Sequence, residues 1–216
     1  MQKQTSIEKA LEQIQDGMTI MVGGFLGVGT PQALVDACIK KQLNNITLIC
    51  NDTAFPEVGV GKWIVNRMVK KAIVSHIGTN PETGKQMMAN ETEVTLVPQG
   101  SLAEKIRCGG MGLGGVLTKT GVGTLVEEGK QTIVVENETY ILETPLHADI
   151  ALIYADVADE TGNLMYHGST KNFNPLMAAA ADMVIVEAKQ IVPVGTLSPD
   201  HVAVPHILVD AIVKGD

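Results

Sequence analysis

Met18-Thr19-Ile20-Met21-Val22-Gly23-Gly24-Phe25-Leu26-Gly27-Val28-Gly29-Thr30-Pro31 is the stretch on which the fold turns. Residues 18–22 are a short apolar run suited to a buried strand. Four glycines occupy the next seven positions, 23–29. Thr30-Pro31 then has the pattern of a helix start, with a hydroxyl cap before a proline at the first helical position. A strand that turns through glycines into a helix is the opening of a βαβ unit. Four glycines exceed what a bare turn needs, so this loop reads as functional. Backbone without side chains approaches a ligand closely, and its N–H groups face a phosphate or a developing oxyanion.

Outward from this turn the alternation persists. The first helix runs to about residue 41, and strands are expected at 46–50, 69–75 and 93–97. Between them lie helices over 61–67, from Asn80-Pro81 onward, and over 102–108 with Ser101 as its cap. Upstream, residues 1–15 read as an amphipathic helix, with Thr5 and Glu8 spaced as a capping box. Strands alternating with helices at this spacing imply a mostly parallel sheet. From Gly109 the pattern breaks: seven glycines fall within residues 109–123, too flexible for the interior of an element. Residues 131–135 and 138–142 alternate around Asn137 as a hairpin. A strand at 148–154, a turn at Thr161-Gly162-Asn163, a helix over 175–181 and a strand at 183–187 follow. The tail, 191–216, is apolar but broken by prolines and finds no place. The expectation is an α/β fold: a mostly parallel open sheet with flanking helices and a small β-rich insertion. With no repeat or linker in view, residues 1–216 read as one domain.

Composition narrows the function. Only 3% of the residues are aromatic, and the formal net charge is −8. Single-stranded nucleic acid stacks on aromatic rings and duplexes need cationic surface, so nucleic-acid binding is not expected. Cys38, Cys50 and Cys108 are an odd set without C-x-x-C spacing, and read as reduced thiols rather than a zinc site. His76, His147, His167, His201 and His206 are scattered without metal-ligand spacing, so no metal is expected. Without a secretory signal or an apolar run of membrane-spanning length, the expected compartment is the cytoplasm and no membrane partner is expected.

A dinucleotide reading competes for the loop. Gly24, Gly27 and Gly29 resemble part of a G-x-G-x-x-G fingerprint, and Asp52 lies where a ribose-binding acid would fall. The register fails at Gln32, where glycine is required, and Pro31 occupies the helix start.

From Asp16 to Pro31 the sequence follows D-G-x-x-x-x-x-G-G-F-x-x-x-G-x-P, which resembles the signature of the α subunits of class I (3-oxoacid) CoA-transferases. Further blocks resemble that family in the same order: Asn51-Asp52-Thr53, Gly78-Thr79-Asn80-Pro81, Pro98-Gln99-Gly100-Ser101-Leu102, Ile106-Arg107-Cys108-Gly109-Gly110, Thr120-Gly121-Val122-Gly123-Thr124 and Lys171-Asn172-Phe173-Asn174-Pro175. The likeness covers about residues 14–187.

The resemblance implies a heteromeric enzyme, a heterotetramer or larger, with its active site between α and β subunits. The family's nucleophile is a glutamate of the β subunit in a Ser-Glu-Asn-Gly motif. That motif is absent here, so no catalytic nucleophile is expected in this chain. By the same resemblance Gly23, Gly24, Phe25, Leu26, Gly27, Val28 and Gly29 line the CoA side of the site. Asn51 and Gln99 match positions near the reacting glutamate, while Asp52 stands where some relatives have asparagine. Arg107, read from its residue type alone, is a candidate for a CoA phosphate, with a surface ion pair as the commoner alternative. Coenzyme A enters as substrate, with no cofactor, and the acyl groups are those of acetate, butyrate or acetoacetate. The alternatives are an NAD-binding oxidoreductase and a non-enzymatic metabolite sensor on a related scaffold.

Overall fold

A computed structural model describes residues 2–215. Its main sheet contains β1 (Thr19–Val22), β2 (Ile46–Ile49), β3 (Val69–Val74), β4 (Glu93–Leu96), β8 (Ala148–Asp159), β10 (Ala181–Val192) and β11 (Ala211–Lys214). They are ordered β11-β10-β8-β1-β2-β3-β4, and every one of these pairings is parallel. The two-residue β9 (Leu164–Met165) folds back antiparallel on β8. A separate three-stranded antiparallel sheet holds β5 (Val116–Thr118), β6 (Thr132–Val135) and β7 (Glu138–Glu143). This is the α/β arrangement expected, with the small β-rich insertion as its own sheet.

Alternation along the strands explains why helices cover both faces. Ile20 and Val22 of β1 join Leu48, Ala72, Ile150 and Leu152 on one face. Against them pack α2 (Gln32–Lys40), through Leu34, Val35 and Cys38, and α3 (Gly61–Val65), through Trp63 and Ile64. Met21 points the other way, with Ile49, Ala151 and Ile153, toward Leu102 and Ile106 of α5 (Gln99–Gly110) and Met177 of α6 (Asn174–Ala179). The α4 helix (Pro81–Met88) starts as expected: the Asn80 side chain accepts from Glu82 N–H, with Pro81 next to it. The hairpin between β6 and β7 turns on Glu136 and Asn137, both at positive φ, as a two-residue turn requires.

Several expectations are corrected. The N-terminal helix, α1, spans only Ile7–Ala10 and is capped by Ser6, not Thr5. Residues 3–5 run extended instead, because they pair with Ile212 and so cover the edge of β11. Met1 and Asp216 lie outside the described residues. Thr30 does not cap α2. Pro31 holds the cap position without a side-chain bond, and the amide of Leu34 donates to Glu187 Oε2 of β10 at 3.0 Å. A buried carboxylate from a neighbouring strand thus fills the role assigned to a local hydroxyl, and its charge suits the positive helix end. Ser101 is not a cap either. α5 already begins at Gln99, and Ser101 is buried in its first turn with a hydroxyl lacking a partner among the described residues.

The glycine tract 109–123 also resolves differently. Gly109 and Gly110 close α5, and residues 116–118 form β5. An added Cβ at Gly109 would lie 2.0 Å from Leu146 O, so glycine here permits close packing rather than flexibility. β8 and β10 are longer than expected, each twelve residues, because their ends pair with each other beyond the neighbouring strands. The tail finds its place as the edge strand β11, reached through two short 3-10 turns.

Candidate functional site

β1 is where the sheet reverses direction. To one side the chain proceeds through β2, β3 and β4; to the other lie β8, β10 and β11. Such a reversal opens a crevice beyond the carboxyl ends of the strands, and residues 23–29 sit there. Phe25 and Val28 exchange backbone hydrogen bonds at 3.0 and 2.9 Å, closing a two-residue hairpin over Leu26 and Gly27. Both central residues have positive φ, +48° for Leu26 and +89° for Gly27. That matches the primed turns of tight hairpins. For leucine the conformation is strained, so something must hold it.

Two neighbours do so, one on each side. From the β2 side, Asp52 Oδ2 accepts the Leu26 amide at 3.0 Å. From the β8 side comes the segment leading into α6. Asn172 Oδ1 accepts from Gly24 N–H at 3.1 Å while its amide donates to Val28 O at 3.0 Å. Asn174 donates to Gly29 O at 3.0 Å and accepts from Tyr154 N–H at 3.0 Å. Asp156 steadies that segment, accepting from His167 N–H at 2.8 Å and from the Thr170 hydroxyl. The glycines are dictated by this closeness. A Cβ on Gly23 would stand 1.8 Å from Asn174 Oδ1, on Gly24 1.9 Å from Thr30 Oγ1, and on Gly29 2.5 Å from Thr170 O.

The amides can now be accounted for one by one. Gly23 donates to Leu152 O, Gly24 to Asn172, Phe25 to Val28, Leu26 to Asp52 and Val28 to Phe25. Those of Gly27 and Gly29 have no acceptor among the described residues. The loop is therefore a braced turn with two amides left over, rather than an open row of donors.

Asn51 and Gln99 join the loop through one chain of hydrogen bonds. Gln99 Nε2 donates to Asn51 Oδ1 at 2.7 Å, and Asn51 Nδ2 donates to Asp52 Oδ2 at 2.6 Å. The Ser75 hydroxyl at the end of β3 donates to Asn51 O at 2.7 Å. Asn51 is buried, whereas Gln99 is exposed. The ends of β1, β2, β3 and β4 thus meet in one polar line. Phe25, Val28 and Phe55 lie exposed around it.

Other candidates separate from the site. Both carboxylate oxygens of Asp52 are engaged, the second by Ala54 N–H at 2.7 Å, and the residue is buried. It is not available to a ribose, and the dinucleotide reading fails on that ground. Arg107 is paired with Glu104, whose hydrogen bond and charge raise its pKa further. Burial, then the Asp52 charge, pushes the Cys50 thiol well above its ordinary range, and burial lifts Cys38 to about 12. These thiols are inert in place. Among the described residues no cluster of three His, Cys, Asp or Glu is set to hold a metal, and no helix is long and apolar enough to cross a membrane.

Sequence reasoning missed Asn172 and Asn174 as loop-holding residues, although their block had been singled out. Their signal was two amides immediately ahead of Pro175, at the start of α6. The role of Asp52 as a brace was missed as well, since only the folded chain brings its carboxylate to the Leu26 amide.

Residues 4–215 match the family described as coenzyme A transferase. The chain belongs to the coenzyme A transferase family. It is 54% identical over 211 residues to the acetate CoA-transferase subunit alpha of Escherichia coli K12, covering 98% of this chain and 96% of that one. It is also 54% identical over 200 residues to the acetoacetyl-CoA:acetate/butyrate CoA transferase alpha subunit of Clostridium acetobutylicum, covering 93% and 92%. Among solved structures, an acyl-CoA transferase from Escherichia coli O157:H7, crystallised as a thioester complex with CoA, superposes with a TM-score of 0.88 at 22% identity. The match covers 99% of this chain and 47% of that one, so the transferase chain described here spans about half of that longer polypeptide. At such identity the likeness establishes the fold. The family membership rests on the two α-subunit relatives and the family match.

Proposed function

We propose that this chain is the α subunit of a cytoplasmic, heteromeric CoA-transferase. It moves CoA between a short-chain acyl-CoA or acetoacetyl-CoA and a carboxylic acid such as acetate or butyrate. The partner β subunit supplies the nucleophilic glutamate, and residues 1–216 act as one domain. The observation that carries this reading is the line from the braced glycine turn through Asp52 and Asn51 to Gln99 at the sheet's reversal point. The exposed Phe25, Val28 and Phe55 beside it are what a partner surface or the pantetheine arm would cover.

The chemistry fits these parts. The partner's glutamate carboxylate attacks the thioester carbonyl, and the C–S bond breaks to give an acyl-glutamyl anhydride and CoA thiolate. The thiolate attacks the glutamyl carbonyl, releasing the first acid and leaving a glutamyl-CoA thioester. The acceptor acid runs both steps in reverse. Thioester energy is conserved, and CoA is consumed only as a substrate, with no cofactor or metal invoked. In this reading the remaining amides of Gly27 and Gly29 donate to CoA. Asn51 and Gln99, neutral amides, orient a carboxyl group without fixing it as an ion pair would. Closure of the interface keeps water from the anhydride.

The test is reconstitution. The purified chain is expected to transfer no CoA from acetoacetyl-CoA to acetate, and co-expression with its β partner is expected to restore transfer. Turnover by the single chain at the rate of the assembly overturns the division of labour.

A further inference from the structure

We propose that Asp52 is the positioning residue of this site, setting both the shape of the glycine turn and the direction of the Asn51–Gln99 line. The inference rests on the functional reading above and adds a residue that reading does not require.

The argument begins with what a carboxylate is able to do. Ionised, it accepts hydrogen bonds and donates none. Asp52 accepts three: from Leu26 N–H, from Asn51 Nδ2 and from Ala54 N–H. Asn and Gln amides have a nitrogen and an oxygen end of nearly equal size, so their orientation follows from their partners. Beside Asp52, Asn51 has to present its nitrogen, and its oxygen then faces Gln99. Gln99 in turn has to give its nitrogen to Asn51, so its own oxygen and one remaining N–H form the solvent end of the line. One buried charge thereby decides which way two amides point, one of them adjacent in sequence and the other 47 positions away. A neutral residue at position 52 removes that constraint, and both amides become free to turn over.

The same carboxylate acts on the backbone through both its oxygens. Leu26 and Ala54 both have φ of +48°, a conformation unfavourable for side-chain-bearing residues. Asp52 accepts the amide of each, so it stabilises a strained residue in the loop after β1 and another in the loop after β2. Asp52 is buried, and Cys50 Sγ donates to its backbone oxygen at 2.9 Å, which fixes the position of the residue itself. No contact with substrate is required: its effect passes through Leu26 and Asn51.

The experiment uses the chain assembled with its β partner and compares Asp52→Asn, Gln99→Ala and the double variant. If the wild-type assembly transfers no CoA, the functional reading fails and the positioning proposal falls with it. If wild type is active, Asp52→Asn is expected to lower kcat roughly tenfold to a hundredfold, the worth of a charge-assisted hydrogen bond, with KM for the acyl-CoA little changed. The loss is expected to shrink when Gln99 is already alanine, because the line no longer has an end to orient. Leu26→Gly provides a second background in which left-handed backbone needs no brace. There Asp52→Asn is expected to keep the assembly folded by thermal melting while still lowering kcat. An unchanged kcat in Asp52→Asn, or losses that simply multiply in the double variant, overturns the proposal with the functional reading intact.

Discussion

Two glycine-rich segments, 23–29 and 109–123, look alike on paper and are held differently in the fold. In the first, Gly23 and Gly24 are buried against Asn174 and Thr30, and five of seven amides are bonded within the protein. In the second, Gly109, Gly110, Gly115 and Gly121 pack closely, while Gly112, Gly114 and Gly123 have nothing within 4 Å of a would-be Cβ. What holds the second region is charge. Glu143, buried at the end of β7, accepts from Lys105 of α5 at 3.0 Å and from Lys130 at 2.6 Å, tying the small sheet to the helix. Glycine content therefore does not mark a site. What sets the first apart is a glycine turn whose backbone is braced by the distant side chains of Asp52, Asn172 and Asn174.

The largest effect that would break this comparison is expected at Gly24. Gly24→Ala adds a Cβ 1.9 Å from Thr30 Oγ1 at a φ of +123°. Overpacking and backbone strain together predict a loss of roughly 4 kcal/mol, measured by urea unfolding of the assembly, with transfer activity abolished. Near-wild-type behaviour would mean that the first loop is as loose as the open positions of the second, Gly112, Gly114 and Gly123.

Next comes the ion triad. Glu143→Gln leaves two lysines facing a neutral amide and is expected to cost about 3 kcal/mol. Burial raises the Glu143 pKa, but the hydrogen bonds and charges of Lys130 and Lys105 outweigh it and hold the carboxyl below its ordinary value of 4.5. A depressed carboxylate contributes stability that is present above the unfolded value and lost as pH falls through the folded one. Hydrogen exchange at β5–β7 is therefore expected to quicken below about pH 4.5, and in Glu143→Gln that acid step should disappear.

Asn172→Ala sharpens the first half of the comparison. It strips an acceptor from Gly24 N–H and a donor from Val28 O, and is expected to cost about 1–2 kcal/mol with a larger loss in transfer rate than in melting temperature. The smallest effect is expected at Gly114→Ala, where no atom stands near and φ is not left-handed. Stability should hold or rise by less than about 1 kcal/mol, with transfer unchanged.

Much of this was legible in advance where the signal was local. The strand before Gly23, the Asn80-Pro81 helix start and the hairpin around Asn137 were readable because each depends on neighbours in sequence. Thr30 and Ser101 were misread for the complementary reason. Each carries a local capping pattern, but in place of the first Glu187 takes the Leu34 amide from 153 positions away, and α5 starts before the other. The loop's glycines were legible, while its bracing residues Asp52, Asn172 and Asn174 were not.

The sequence by itself determined the alternation of strands and helices, the glycine turn after the first strand, the missing nucleophile motif and the family. All of these are written in spacing and residue type. Only the tertiary structure decided that β2 and β8 flank β1, and so that a carboxylate from one side and two asparagines from the other meet on Leu26, Gly24 and Gly29. Hydrogen bonds act over about 3 Å, and which groups come that close depends on sheet order, a property of the whole chain rather than of any window within it.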